Sequence, residues 1–166
     1  MPPEPPSVEA RPVRDVAAAL YGVILATALT AAYSEYSATD AGQIALAVLV
    51  TAIVFWLAHA YATVLAHGLV HHGRFSRQAA ASALLQESPL LLGALPAVAA
   101  LLLAPIGLLS DYHAENLAIG AGVVTLALGG LLAGVRQQAG FARTMAMTVA
   151  STALGLAMVA LKAIVH

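Results

Sequence analysis

Apolar runs recur from one end of this chain to the other. Each is about 20 residues long, enough as a helix to cross the ~30 Å hydrocarbon core of a bilayer. No other feature constrains the fold so strongly. Of the 166 residues, 61% are hydrophobic and only 9% are Asp, Glu, Lys or Arg. A soluble domain carries roughly 25% charged residues with which to cover its surface. The expected fold is all-α: a polytopic transmembrane helical bundle of five spans. Disorder and a secreted disulfide scaffold are excluded by composition, and with a net charge of −1 there is no basic surface with which to seek nucleic acid. The absence of cysteine removes disulfides, thiol catalysis, iron–sulfur clusters and cysteine zinc sites.

The opening stretch, MPPEPPSVEARP (1–12), is too rich in proline and glutamate to pack, and reads as a disordered tail. Arg11 and Arg14 then precede an apolar run, the arrangement of a signal peptide. The run from Val16 to Tyr33 is long for that, and the tail before it is partly acidic. It is therefore taken as the first span, 13–34. Spans are expected over 41–70, 88–109, 116–135 and 144–165, forming with the first a single bundle over 13–166. Pro89 divides the third apolar stretch in this reading, because proline disfavours helix in the residue before it. Residues 76–87 then form a separate interfacial helix.

Charge placement supports the same count. Arg11 and Arg14, Arg74 and Arg77, and Arg136 and Arg143 fall at alternate ends of the expected spans. The intervening loops carry Glu35, Asp40, Asp111 and Glu115 and no Lys or Arg. The positive-inside rule puts the arginine-bearing side in the cytoplasm, with the N-terminus in and the C-terminus out. Lys162, one turn from the C-terminus, is the exception, and can snorkel outward. No internal repeat is evident, so an inverted-repeat transporter is not expected.

Polar groups inside spans are the residues to which function is assigned. His59 falls just inward of mid-membrane, with Tyr21 on the first span and Thr148, Ser151 and Thr152 on the fifth at similar depth. It reads either as a pore-lining or proton-relay histidine, with Trp56 as an apolar constriction beside it, or as a structural hydrogen-bonding residue between helices. His67 and Glu87 are expected at a common level near the cytoplasmic face. Together with His71 they form a polar cluster that relays protons, binds a cation or simply meets interfacial water. His67 and His71 have i, i+4 spacing suited to zinc, with Glu87 as a third ligand, but a His-rich helix end beside arginines equally reads as a solvated surface. No metal or other cofactor is expected. A b-type haem would need imidazoles facing each other from different helices at one depth, and His113 and His166 lie too far from His59.

Gly130 and Gly134 make a G-x3-G pair, which allows close approach of another helix. Ala118 with Gly122, and Ser151 with Gly155, give similar small-x3-small pairs. There is no serine nucleophile elbow, phosphate loop, HEXXH or carboxylate pair within a span, so an enzyme is not expected.

The segment Phe55-Trp56-Leu57-Ala58-His59 is similar to the aromatic–Trp-x-x-His pattern of the second span in bacterial relatives of the lysosomal potassium channel. The likeness covers about the first 75 residues. That family's Arg-x-x-x-Phe-Ser-Asp element is absent, since Ala18-Ala19-Leu20 follow Arg14 at its spacing. The resemblance implies an oligomeric, channel-like bundle and does not carry over the family's gate or filter. The Ala-, Leu-, Val- and Gly-rich usage looks like that of a small integral membrane protein from a GC-rich bacterium, such as an actinobacterium. The expectation is therefore a multi-pass protein of the bacterial cytoplasmic (inner) membrane. Its partners would be the lipid bilayer and either further copies of itself or the subunits of a membrane complex, with no nucleic acid. It would act as an oligomeric proton or small-cation channel or transporter-like bundle, or alternatively as a non-catalytic accessory or structural subunit.

Overall fold

The computed structural model of the chain describes residues 10–34, 39–71, 77–136 and 140–164. Five long helices follow one another: α1 (Ala10–Tyr33), α2 (Ala41–His71), α3 (Arg77–Leu101), α4 (Asp111–Arg136) and α5 (Phe141–Ile164). Four stretches, Asp15–Tyr33, Ala41–Ala66, Arg77–Leu101 and Asp111–Val135, are long and apolar enough to cross a membrane. The chain is an all-helical, multi-pass membrane bundle. Residues 1–9 of the proline-rich stretch lie outside the described residues. Pro12 stands inside the first turn of α1, where the backbone N–H that proline lacks would have no helical partner in any case.

The third span is where the structure departs most from the sequence reading. Pro89 does not divide it, and there is no separate interfacial helix over 76–87. The helix runs from Arg77 through both Pro89 and Pro96 to Leu101. Proline at 89 removes the N–H that would bond to the Leu85 carbonyl, and the Ser88 hydroxyl donates to that carbonyl instead, at 2.8 Å. With the lost bond replaced from within the helix, the chain tolerates the proline. Residues 102–109, expected as the end of this span, form turns in which Gly107 has φ 79°.

The helix starts at the opposite end of the bundle explain the acidic residues there. Asp40 Oδ1 accepts from the Gln43 N–H at 2.7 Å, capping α2. Asp111 Oδ1 reaches across from α4 to the Ala41 N–H at 3.1 Å. Both carboxylates thus sit at the positive end of the α2 dipole. Ser110 precedes α4 and accepts from the His113 N–H at 3.4 Å. As a result α4 begins at Asp111 rather than Asn116, and the expected loop carrying Asp111 and Glu115 is mostly helix.

Packing inverts the rule for soluble proteins. The core is built mainly of alanine, with Ala26, Ala41, Ala45, Ala52, Ala94, Ala114 and Ala118 all buried beside Ile44, Val48 and Leu101. Larger side chains such as Leu46, Val54, Leu92, Val124, Leu132 and Val149 are exposed on the outside. Lipid tails are as apolar as leucine, so no hydrophobic gain draws membrane helices together. They associate through close van der Waals contact, which small residues permit. Buried threonines serve the same end. Thr27 and Thr30 donate to the carbonyls of Val23 and Ala26 on their own helix, at 2.7 and 2.8 Å, which satisfies each hydroxyl at little cost in volume.

α3 packs against α1, α2 and α4, and α5 packs against α4 and α1. The α1–α3 crossing is the tightest in kind, because backbone meets backbone in both directions. A Cβ on Gly22 would fall on the Leu90 carbonyl, and one on Gly93 would fall on the Ala19 carbonyl. At the α4–α5 contact, a Cβ on Gly130 would lie 2.8 Å from the Met147 carbonyl oxygen, and one on Gly134 would lie 2.8 Å from Thr144 Cα.

Candidate functional site

His59 lies on α2 about 18 Å of helix from His71, at ~1.5 Å per residue. Its Nδ1 donates to the Phe55 carbonyl at 2.9 Å. In the neutral imidazole that bond leaves Nε2 as an acceptor. Among the described residues Nε2 has no partner. The imidazole is exposed on the outside of the bundle. There it meets Tyr21 of α1, with ring centroids 5.5 Å apart, and Phe55 lies 6.1 Å from the same tyrosine ring. Phe55, His59 and Tyr21 thus form an aromatic patch with one imidazole, at the outer edge of the α1–α2 contact.

Other residues expected around His59 are elsewhere. Thr148 and Thr152 lie on α5, which among the described residues makes no contact with α2. Their hydroxyls donate to the Thr144 and Thr148 carbonyls of their own helix, at 3.0 and 2.8 Å. Depth along the membrane normal placed them level with His59, but depth says nothing about position around the bundle, and α5 is on its other side. Trp56 is drawn to α3, where its indole N–H donates to the Leu84 carbonyl at 2.9 Å. It ties α2 to α3 while His59 faces α1.

Glu87 is 7% exposed and takes a hydrogen bond from Thr63 Oγ1 of α2 at 3.0 Å. It stands about 15 Å along the helix from Arg77 and about 21 Å from Leu101, by the 1.5 Å rise. With α3 unbroken, the carboxyl lies inside a span rather than on an interfacial helix. The side chains of His67 and His71, expected to share a cluster with it, lie outside the described residues. Thr63 was not anticipated, though its spacing of four residues from His67 places both on one helix face. Among the described residues there is no group of three or more His, Cys, Asp or Glu able to hold a metal ion.

Gly130 and Gly134 face α5, against Ser151 with Met147 and against Thr144 respectively. Gly122 meets Thr27 of α1, and Gly155 meets Val123 of α4. Gly22 and Gly93 were missed, although Ala18, Gly22 and Ala26, and Gly93 with Ala97, have the same small-x3-small spacing; in helices this rich in alanine that spacing recurs too often to single them out. Compared with protein-family models, with curated proteins and with solved structures, the chain matches none of them.

Proposed function

We propose that the protein is a non-enzymatic, multi-pass protein of the bacterial cytoplasmic membrane that assembles with copies of itself and moves protons or small cations along a path between the copies. The observation that carries this reading is the exposed His59. An ionisable side chain within a span is costly in lipid, and such residues mark ion or proton pathways. Where α1, α3 and α4 meet, beside Thr27, Gly93, Pro96 and Gly122, the remaining space is about 10 Å³. That is about enough for a single water. His59 itself is exposed on the outside of the bundle, so a path that uses it runs outside the copy, and a neighbour completes it. Tyr21 supplies a hydroxyl beside the imidazole, and the likeness around Phe55–His59 to channel-forming relatives of the lysosomal potassium channel favours the same reading.

The topology proposed with it has five spans, the N-terminus in the cytoplasm and the C-terminus outside, as the alternation of arginine-bearing and acidic ends requires. A reporter fused after His166 and active only in the cytoplasm would reverse it. The functional test is flux in liposomes reconstituted with the full chain. The wild type should dissipate an imposed proton or cation gradient, and His59→Ala should abolish or reshape its pH dependence.

A second reading, an accessory subunit of a larger membrane complex, draws on the same patch, since an unrelated helix would satisfy Nε2 as well as a second copy does. It becomes the better account if the wild type gives no flux above background and purification in mild detergent yields the chain with other subunits.

A further inference from the structure

The face of the bundle around His59 has few polar atoms, and their chemistry decides which ion can pass along it. On α2 the residues near the line of His59 are Phe55, Ala62 and Ala66, and both alanines are exposed. Thr63, one turn on, is drawn to α3, where its hydroxyl donates to Glu87 at 3.0 Å. Glu87 is 7% exposed, so its carboxylate is not presented on this face. Asp111, the α4 carboxylate bonded to α2, reaches it at Ala41, about 27 Å of helix from His59 at ~1.5 Å per residue. From α1 comes Tyr21, its ring 5.5 Å from the imidazole. Each copy thus offers a path the His59 Nε2 and the Tyr21 hydroxyl.

These two groups do not suit an alkali cation. Such an ion either sheds its water and needs a ring of oxygens in place of the hydration shell, or keeps its water and needs a wetted pore. One phenol oxygen per copy is no ring, even when a neighbour doubles it. Phe55 and the alanines form an apolar wall, of the kind that stops hydrated ions by dewetting.

A proton has no such requirement. It moves along single hydrogen bonds and needs one acceptor at a time, which a histidine nitrogen supplies. The bond at the other ring nitrogen decides the route. Nδ1 donates to the Phe55 carbonyl at 2.9 Å, and a carbonyl holds no proton of its own to pass on. The proton must therefore enter and leave at Nε2. The Nε2 lone pair takes it from a water on one side, which gives an imidazolium with a proton on each nitrogen. The same N–H bond then breaks toward a water on the other side. The neutral ring is restored with Nδ1 still bonded to Phe55.

We infer that the path past His59 carries protons and excludes Na⁺ and K⁺, with Nε2 as the shuttling atom. This names the ion for the reading proposed above and rests on that reading.

The two can fail separately in one experiment. The full chain is reconstituted in phosphatidylethanolamine–phosphatidylglycerol vesicles. Proton entry is followed with internal pyranine under a potential set by valinomycin and a K⁺ gradient. Uptake of tracer Na⁺ and Rb⁺ is followed in parallel without valinomycin. The wild type should acidify the interior faster than protein-free vesicles do, and should take up either tracer no faster. His59→Gln keeps a hydrogen-bonding amide at the position but has no nitrogen that takes up a proton. It should return proton entry to the protein-free level with Tm and oligomer size unchanged, and His59→Ala carries the test if His59→Gln does not fold. The inference is overturned by tracer uptake above the protein-free rate, or by proton entry that both variants leave intact. Tracer uptake without proton entry would overturn it and keep the cation-moving reading; no flux of either kind would remove both.

Discussion

Gly93→Ala adds one methyl group at the place where α3 crosses α1. The position it would take already belongs to the Ala19 carbonyl oxygen, with the Val23 backbone nitrogen 3.1 Å away. Neither atom is the end of a flexible side chain, so the two helices must separate by about an ångström to restore ordinary van der Waals contact. Overpacking costs about 1–3 kcal/mol, and with backbone as the obstacle the upper figure applies. Alanine returns up to ~1 kcal/mol through its better helix propensity. The net loss is about 2 kcal/mol, roughly 30-fold in the folding equilibrium. Gly22 meets the Leu90 carbonyl from the other helix. Once one methyl has parted the helices, a second costs less, so Gly22→Ala with Gly93→Ala should destabilise by less than the sum of the two. Gly120 is the control, since a Cβ there would meet nothing within 4 Å, and Gly120→Ala should be neutral or stabilising by up to ~1 kcal/mol. Reversible unfolding of the full chain by SDS in mixed micelles measures all four variants. Gly93→Ala as stable as wild type, or additive with Gly22→Ala, would refute a backbone-to-backbone crossing.

Gly130→Leu should disrupt the α4–α5 contact, where the Met147 carbonyl stands 2.8 Å from the added Cβ; an unchanged melting temperature in detergent would count against it. Asp40→Ala should cost about 1 kcal/mol through the lost cap on the Gln43 N–H, measured by the same unfolding assay, and Asp40→Asn should recover most of it.

The helices were legible because their cause is one-dimensional. A run of apolar residues long enough to span a bilayer is helical wherever it packs, since every backbone group must be satisfied within the segment. The reading failed where local chemistry intervened. Pro89 looked like a boundary, and only the Ser88 hydroxyl on the Leu85 carbonyl shows why the helix passes through it. Asp111 looked like a loop residue, and it caps a neighbouring helix at Ala41. Position around the bundle was not legible at all. Tyr21 and the α5 threonines were placed at the depth of His59 on equal grounds, yet only Tyr21 lies against it. A ruler along the membrane normal cannot separate them. An alternating polar face would have marked which side of each helix packs, but the faces of these helices differ chiefly in side-chain size.

In the proposed assembly the face carrying Tyr21, Phe55 and His59 meets a second copy in the membrane. Because the chain has no cysteine, single-cysteine cross-linking reports on it without background. Ala62 is exposed on α2, within about one turn of His59 and near the line of Phe55, while Leu128 of α4 is 52% exposed on another helix. Mild oxidation of native membranes should convert Ala62→Cys to a disulfide-linked dimer of this chain and leave Leu128→Cys monomeric. No dimer from Ala62→Cys, or equal dimer from both, would contradict the account.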